Sequence, residues 1–510
     1  MSVRPLFWPF VFLLALAGGA LVVYVTAGTG LGSSSDAANY VSAAESLLKG
    51  EGFVRYDGTP YTLWPPLYPM LLAGTAALTG TDAMAAARLW SAITHALLVI
   101  CTALVGRRYL RSAWWGLFAG AVVVFSVPVL QCTTMAWSDS LFALLCLTAL
   151  YSFSRFLTVP RATGLLIVAV LTSLACLQRY VGISLLLVFL PLLMLQRSVP
   201  LRRRIVWASG LLALSVVPLG IWMGRNWAIS GTWTGPRLPV QFPFAVQLQS
   251  TVETVSLWLL PSVVPAFARI AIVTGIAVVL WWVHRSRHAS TDKGGTSFAH
   301  LPYSAFTVFV WVYVLFLLWQ AYHTHIDQLS SSRFFLPVYV PVILLVLRGA
   351  QSLAEHVQDR IPLWPISDRV VTVVALLWLL YPVSLTVHQI DRIKTEGIGF
   401  FHTRAWAQSE TLHWLDTHDF PGRLLSNLPE AIYVLRGRPC LKTAALYDSE
   451  LHIADMLNAG HNGYLVWFDL VPVWGVYSPS ELTRWFSVDP IVQLRDGAVY
   501  KLSAPQPSTR

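Results

Sequence analysis

Residues 28–69 read GTGLGSSSDAANYVSAAESLLKGEGFVRYDGTPYTLWPPLYP, and this polar stretch decides how the rest of the chain is understood. It follows a hydrophobic N-terminus and precedes a long series of apolar segments. Gly28–Ser35 is a flexible Gly/Ser run. Asp36–Lys49 predicts a short amphipathic helix, because Ala37, Tyr40, Ala44, Leu47 and Leu48 recur at three- and four-residue spacing. Ser34 or Ser35 can cap its start and Gly50 can end it. Trp64-Pro65-Pro66-Leu67-Tyr68-Pro69 then returns the chain to apolar sequence, and its prolines cannot continue a helix. Asp36 therefore stands at a helix start, on a loop held between two hydrophobic anchors.

The chain has 510 residues, a mean hydropathy of +0.60 and 12% charged residues. A soluble domain carries about 25% charged residues, so this is an integral membrane protein. Apolar spans of ~20 residues fall near 7–27, 83–105, 113–131, 134–154, 162–178, 181–196, 205–223, 265–283, 302–320, 334–350 and 369–390, about eleven in all. The apolar run Leu6–Ala27 exceeds the ~7–15-residue core of a signal peptide and reads as a retained anchor.

A net charge of +10 is not a nucleic-acid footprint here. The basic residues gather in alternate loops, as in Arg107, Arg108 and Arg111, or Arg202, Arg203 and Arg204. By the positive-inside rule the N-terminus is cytoplasmic, and residues 28–66, 225–264, 321–333 and the tail lie outside. Five cysteines show no paired spacing, and neither a disulfide nor a zinc site is expected.

The composition changes after residue ~400. Helix-like stretches (Arg404–His418, Glu430–Leu435, Tyr447–Asn458, Ser480–Phe486) alternate with strand-like runs (Arg423–Ser426, Tyr464–Phe468, Ile491–Leu494, Ala498–Leu502). That alternation predicts a small α/β domain.

Several charged residues stand where chemistry could use them. Asp36 is a candidate carboxylate, although an acid in a first helical turn is also favoured by the helix dipole alone. Asp139, in Met135-Ala136-Trp137-Ser138-Asp139-Ser140, opens a span at its outer edge. It is either an interfacial cap or a functional acid at membrane depth. Four arginines run against the charge bias: Arg88 just inside the second span, Arg179 in a tight outer turn, Arg225 at a span end and Arg333 at a span start. Guanidinium groups at headgroup level suit a phosphate, to which they donate two parallel hydrogen bonds. Snorkelling to lipid headgroups is the plainer reading of each alone. His323 and His325 flank Thr324. An i, i+2 pair shares a face only on a strand, so an interfacial loop is expected there and a metal site is the weaker alternative.

The order of these motifs resembles a known superfamily. Asp36 is followed by Tyr40, Ala44, Leu48 and Gly50, then Pro65-Pro66-Leu67, then Ala87-Arg88-Leu89-Trp90-Ser91. Ser138-Asp139, Arg179-Tyr180, Trp222, Arg225-Asn226, Gly231 and Arg333-Phe334-Phe335-Leu336-Pro337 come after. Together they resemble the GT-C superfamily of polyprenyl-phosphate-sugar-dependent glycosyltransferases, in the branch of protein O-mannosyltransferases, lipid A aminoarabinose transferases and rhizobial-type galacturonosyltransferases. The resemblance covers about residues 5–350. Leu425–Tyr433 with Gly437-Arg438-Pro439 also resembles tails of bacterial members.

The resemblance implies an all-α polytopic membrane protein of GT-C type, with a transmembrane catalytic domain over 1–395 and an extracytoplasmic α/β tail domain over 396–510. It implies inverting transfer from a polyprenyl-phosphate sugar to a lipid, glycan or protein acceptor. Asp36 matches the first-loop acid and Asp139 the later one. Arg333, Arg225, Arg179, Arg88 and Tyr40 are the expected substrate and phosphate contacts. The pattern departs at position 37, where several members carry a second acid and this chain has Ala37. A divalent metal beside Asp36 thus remains open. A transporter or flippase of a lipid-linked sugar is the alternative from another class, although no internal repeat marks one.

Overall fold

A computed structural model describes residues 6–237, 240, 242–275, 278, 301–324, 329–360, 368–445, 463–473 and 475–503. Its helices in chain order are α1 (Phe7–Val25), α2 (Ser35–Leu48), α3 (Leu67–Thr79), α4 (Ala83–Tyr109), α5 (Ala113–Val124), α6 (Val127–Thr133), α7 (Asp139–Thr158), α8 (Ala162–Gln178), α9 (Ser184–Met194), α10 (Leu201–Ser230), α11 (Phe244–Leu259), α12 (Ala266–Gly275), α13 (Leu301–His323), α14 (Leu336–Arg360) and α15 (Asp368–Glu396). Among the described residues seven are long and apolar enough to cross a bilayer, or eight if α5 and α6, bent by 54°, make one span. The chain is a multi-pass membrane protein.

Among the described residues, each apolar stretch singled out in the sequence overlaps a helix. The predicted count of about eleven crossings is larger because α8 and α9, with 17 and 11 residues, are shorter than the ~20 residues of a straight crossing. The helix α12 is described as far as Gly275. The predicted outer loop 225–264 is also more ordered than expected. Helix α10 runs on to Ser230 and stops at Gly231, whose φ of +67° suits glycine, and α11 fills Phe244–Leu259. Polar residues disguised α11 in the sequence. Gln247, Ser250, Thr251 and Thr254 are buried, and two of them bond the backbone of Leu329: its N–H donates to Gln247 Oε1 at 2.8 Å, and Thr254 Oγ1 donates to its carbonyl at 3.2 Å.

The chain divides into two compact units. One comprises Met1–Val25, Thr62–Leu71 and Ala87–Asp391; the other comprises Thr26–Tyr61, Leu72–Ala86 and Arg392–Arg510. In the first unit, small residues let helices approach closely, as is usual where lipid removes the hydrophobic drive for packing. A Cβ on Gly116 of α5 would lie 2.6 Å from Ala103 O and Arg107 N of α4, and one on Gly106 would lie 2.9 Å from Gly116 Cα. At the far end of α14, Glu355 takes Arg111 Nη2 at 2.6 Å and Arg348 Nη1 at 3.7 Å.

The second unit holds a mixed sheet. Its strands are β3 (Arg423–Ser426), β4 (Leu441–Lys442), β5 (Gly463–Phe468), β6 (Ser487–Leu494) and β7 (Gly497–Ser503), after a small hairpin of β1 (Gly397–Ile398) and β2 (His402–Thr403). The order is β4-β3-β5-β7-β6; β3 is parallel to β4 and β5, and β7 is antiparallel to β5 and β6. Alternation along β5 sends Val466 and Phe468 into one apolar cluster with Leu412, Leu415 and Ile432, and Leu465 into another with Leu425, Phe486 and Leu502. The predicted α/β alternation is therefore present; the expected helix Tyr447–Asn458 lies outside the described residues.

The α4–α5 crossing yields a direct test. Gly116→Val should lower the thermal midpoint of the detergent-solubilised protein by the equivalent of about 1–3 kcal/mol of overpacking. Gly210→Val, where an added Cβ meets nothing within 4 Å, should leave it unchanged.

Candidate active site

Asp139 is the first-turn acid of α7, where the positive end of the helix dipole favours a carboxylate. Its side chain is only 2% exposed, and two guanidinium groups reach it from other elements. Arg179 Nη1 lies 2.9 Å from Oδ1 and Arg333 Nε lies 3.5 Å from Oδ2. Arg179 caps the C-terminus of α8, and Arg333 stands in the 3-10 turn Ser332–Phe335 that leads into α14. Three elements far apart in sequence thus place charge at one point.

A second layer fixes the cluster. Arg179 Nη1 also donates to Ser138 Oγ at 3.2 Å, and Gln178 Nε2 donates to Ser138 O at 3.1 Å. The guanidinium of Arg333 lies 4.2 Å from the centre of the Trp137 ring, a cation–π contact. The turn carrying Arg333 is held by Trp258 Nε1 donating to Ser332 Oγ at 3.2 Å and Tyr313 OH donating to Phe334 O at 3.0 Å.

A polar network lies around Thr62 in the same unit. Tyr180 OH donates to Thr62 O at 3.2 Å, Asn226 Nδ2 donates to the same carbonyl at 3.1 Å, and Trp222 Nε1 donates to Tyr180 OH at 3.1 Å. Arg237 Nη2 donates to Leu63 O at 3.0 Å. Gly235, at φ +77°, approaches so closely that an added Cβ would lie 2.9 Å from Leu63 N. Thr62 and Leu63 are therefore gripped where the polar stretch rejoins apolar sequence. Arg225 stacks 4.6 Å over Trp222 and donates to Asn226 Oδ1 at 3.0 Å. Arg88 Nη2 donates to Val23 O, near the end of α1, at 2.9 Å.

Asp36 is half-buried in the first turn of α2, a helix capped by Ser34, whose Oγ accepts from Ala37 N at 3.4 Å. Tyr40 lies one turn on and is 2% exposed, so the two residues share a helix face. The predicted apolar stripe is only part of what is covered. Leu48 is 42% exposed, whereas Ala38, Asn39, Val41 and Ser42 are buried with Ala37, Tyr40 and Ala44.

The tail supplies part of that cover within the second unit. Ser35 Oγ donates to Glu430 Oε1 at 2.9 Å, Tyr433 OH donates to Glu45, and Phe400 N donates to Ser33 O at 2.9 Å. The rings of Tyr56 and Tyr433 stack at 5.2 Å. Burial, followed by the neighbouring Glu45 carboxylate, raises the Tyr433 hydroxyl above its ordinary range, so it stays a donor. His402 Nδ1 lies 2.9 Å from Ser33 Oγ, and burial lowers its pKa below the ordinary value of 6.5.

The structure thus gathers Asp139, Arg179 and Arg333, and places Asp36 with Tyr40. Arg88 bonds the backbone of α1, and Arg225 stacks on Trp222 and bonds Asn226. His323 ends α13 with its ring 5.1 Å from Trp319 and 5.0 Å from Tyr322; His325 lies outside the described residues. Among the described residues no three His, Cys, Asp or Glu side chains group to hold a metal. Sequence reasoning gave no role to Gln178, Arg237, Glu430, Tyr433 or His402. The signals available were position beside a named motif, for Gln178 next to Arg179, and membership of the Leu425–Tyr433 segment, for Glu430 and Tyr433.

The fold is similar to those of solved membrane transferases, among them ArnT and an archaeal oligosaccharyltransferase. Residues 64–222 match the family described as dolichyl-phosphate-mannose-protein mannosyltransferase. ArnT from Cupriavidus metallidurans in the apo state is similar over 97% of this chain and 99% of its own, at 14% identity and a TM-score of 0.61. The same protein bound to undecaprenyl phosphate has the same coverage at 15% identity and a TM-score of 0.56. An oligosaccharyltransferase from Archaeoglobus fulgidus, in complex with Zn and sulfate, is similar over 96% of this chain and 72% of its own, at 12% identity and a TM-score of 0.56. Compared by sequence with curated proteins, the chain matches none.

Two outcomes are expected. Asp139→Asn leaves two largely buried cations without their counter-charge and should cost about 3–5 kcal/mol, read as a lower unfolding midpoint in detergent; an unchanged midpoint would contradict the geometry. For His402, the fold favours the neutral ring. Its contribution is intact above about pH 6.5 and is lost as pH falls below that value, because the unfolded chain takes up a proton that the folded chain resists. Thermal melts of the full chain from pH 7 to pH 5 should show a decline of at most about 1.4 kcal/mol per pH unit from this group, and His402→Gln should remove that part.

Proposed function

We propose that this protein is a glycosyltransferase that moves a sugar from a polyprenyl-phosphate donor to a hydroxyl of a lipid, glycan or protein acceptor on the extracytoplasmic face, in a single inverting displacement. The observation that carries this reading is the convergence of Arg179 and Arg333 on the buried Asp139. A phosphate at membrane level needs fixed cations, and this cluster holds two in place before any ligand arrives. That ArnT, with a similar fold, has been solved bound to undecaprenyl phosphate supports a lipid phosphate as the ligand.

In the proposed step, the acceptor oxygen forms a bond to the anomeric carbon while the bond from that carbon to the lipid phosphate oxygen breaks. The Asp36 carboxylate takes the acceptor's proton as general base. The departing phosphate gains negative charge, which Arg333 and Arg179, with Arg225 as a further cation, stabilise without reorganising. Asp139 acts as a positioning residue that keeps the two guanidinium groups oriented. Arg88 anchors α4 to α1, and Tyr40 shapes the helix face that presents Asp36. In this scheme residues 1–395 form the catalytic membrane domain and 396–510 the extracytoplasmic tail domain.

A reconstituted assay with radiolabelled polyprenyl-phosphate sugar tests the reading. Covalent transfer is the expected result. Movement of the donor across the bilayer without transfer would identify a flippase, and a requirement for a lipid diphosphate would identify a ligase. Asp36→Asn should lower transfer by about 10²–10⁴ with membrane expression intact, and Arg333→Ala by about 10²–10³. Full activity in Asp36→Asn would sink the assignment of the base.

A further inference from the structure

A cleft of about 580 Å³ opens within the second unit, between α2 with the 51–58 loop on one side and the start of β3 with the Gly437–Leu441 segment on the other. Its volume lies within the ~300–1,000 Å³ range of small-ligand sites. Six charged residues line it: Glu45, Glu51 and Asp57 against Lys49, Arg55 and Arg423. Charge is therefore balanced, three of each sign. Ser42 and Ser46 add hydroxyls, and the Tyr56–Tyr433 pair forms an aromatic wall.

Much of this lining is held in place by its own contacts. Arg55 Nε donates to Asn39 Oδ1 at 2.6 Å and its Nη2 pairs with Asp57 Oδ2 at 3.1 Å, while Tyr433 OH is bonded to Glu45. Balanced charge disfavours a strongly charged ligand, since either sign meets three like charges. Donors and acceptors in equal number suit a ligand whose every group can both give and accept a hydrogen bond, which is the property of a hydroxyl. The sheet edge beside the cleft, β4, is two residues long and offers little to a peptide that binds by adding a strand.

We infer that this cleft binds a neutral, polyhydroxylated carbohydrate, the glycan part of the acceptor, and so the acceptor is a glycan or glycan-bearing molecule. The inference rests on the glycosyltransferase reading for its role but not for the binding itself. Carboxylates and guanidinium groups bond pairs of neighbouring hydroxyls, and the loop 51–58 and the tail close on the chain from opposite sides.

The test uses the full-length protein in detergent without donor. Isothermal titration and saturation-transfer NMR would be run with maltotriose, mannotriose and galactotriose, with trigalacturonic acid as the charged control and an uncharged Ser/Thr peptide as the peptide control. At least one neutral trisaccharide should bind saturably. Its affinity should fall about tenfold, the loss of a hydrogen bond to a charged group, in both Arg423→Ala and Glu51→Ala, with unchanged unfolding midpoints. Binding of none of the three, binding indifferent to both variants, or tighter binding of the acid or the peptide would overturn the inference. Transfer to some other acceptor without trisaccharide binding refutes the cleft and leaves the enzyme standing. Trisaccharide binding without any transfer does the reverse.

Discussion

A carboxylate at the rim of a membrane span is costly unless cations sit beside it, and the membrane unit is arranged around one such case. Asp139 opens α7, Arg179 closes α8 and Arg333 precedes α14. The ion pairs tie the ends of three helices at one point, and the second layer from Gln178, Ser138, Trp137 and Trp258 fixes that point further. Each cation needs the acid to be stable there, and the acid needs the cations. That mutual dependence makes the cluster a structural node, and under the proposed function it is this node that meets the donor's phosphate.

The other unit solves a different problem. A short polar helix such as α2 is marginal on its own, and it must hold Asp36 still if that residue is to work. Tail residues do the holding: Glu430 bonds Ser35, Tyr433 bonds Glu45, and the backbone of Phe400 bonds Ser33. The tail is thereby part of the framework of the first loop. That gives the α/β segment a reason to exist besides any contact with substrate, and it makes the loop's order dependent on about a hundred residues of chain far downstream.

Much of the fold was legible because the membrane imposes long apolar runs and the sheet imposes alternation. Among the described residues the apolar stretches overlap helices, and the strands at 423–426 and 463–468 lie where the pattern put them. Errors came where local pattern and burial diverged. Helix α11 buries Gln247 and Thr254 against Leu329, so its polar residues read as loop. Helices α8 and α9 have 17 and 11 residues, so length and composition do not confirm the count of about eleven crossings. In α2, Leu48 is exposed and Asn39 buried, because contacts come from more than one side.

By itself the sequence determined the membrane character, the gathering of basic residues in alternate loops, the small α/β tail and the list of chemically unusual residues. Those are consequences of composition and period, which act over a few neighbouring positions. Only the tertiary structure decided which unusual residues meet: that Arg179 and Arg333, rather than Arg88 or Arg225, converge on Asp139, and that Tyr433 and Glu430 grip the helix of Asp36. Partners separated by 40 to 395 positions leave no local trace, because what selects them is the packing of helices and sheet, and a charge finds its counter-charge only after the chain has folded.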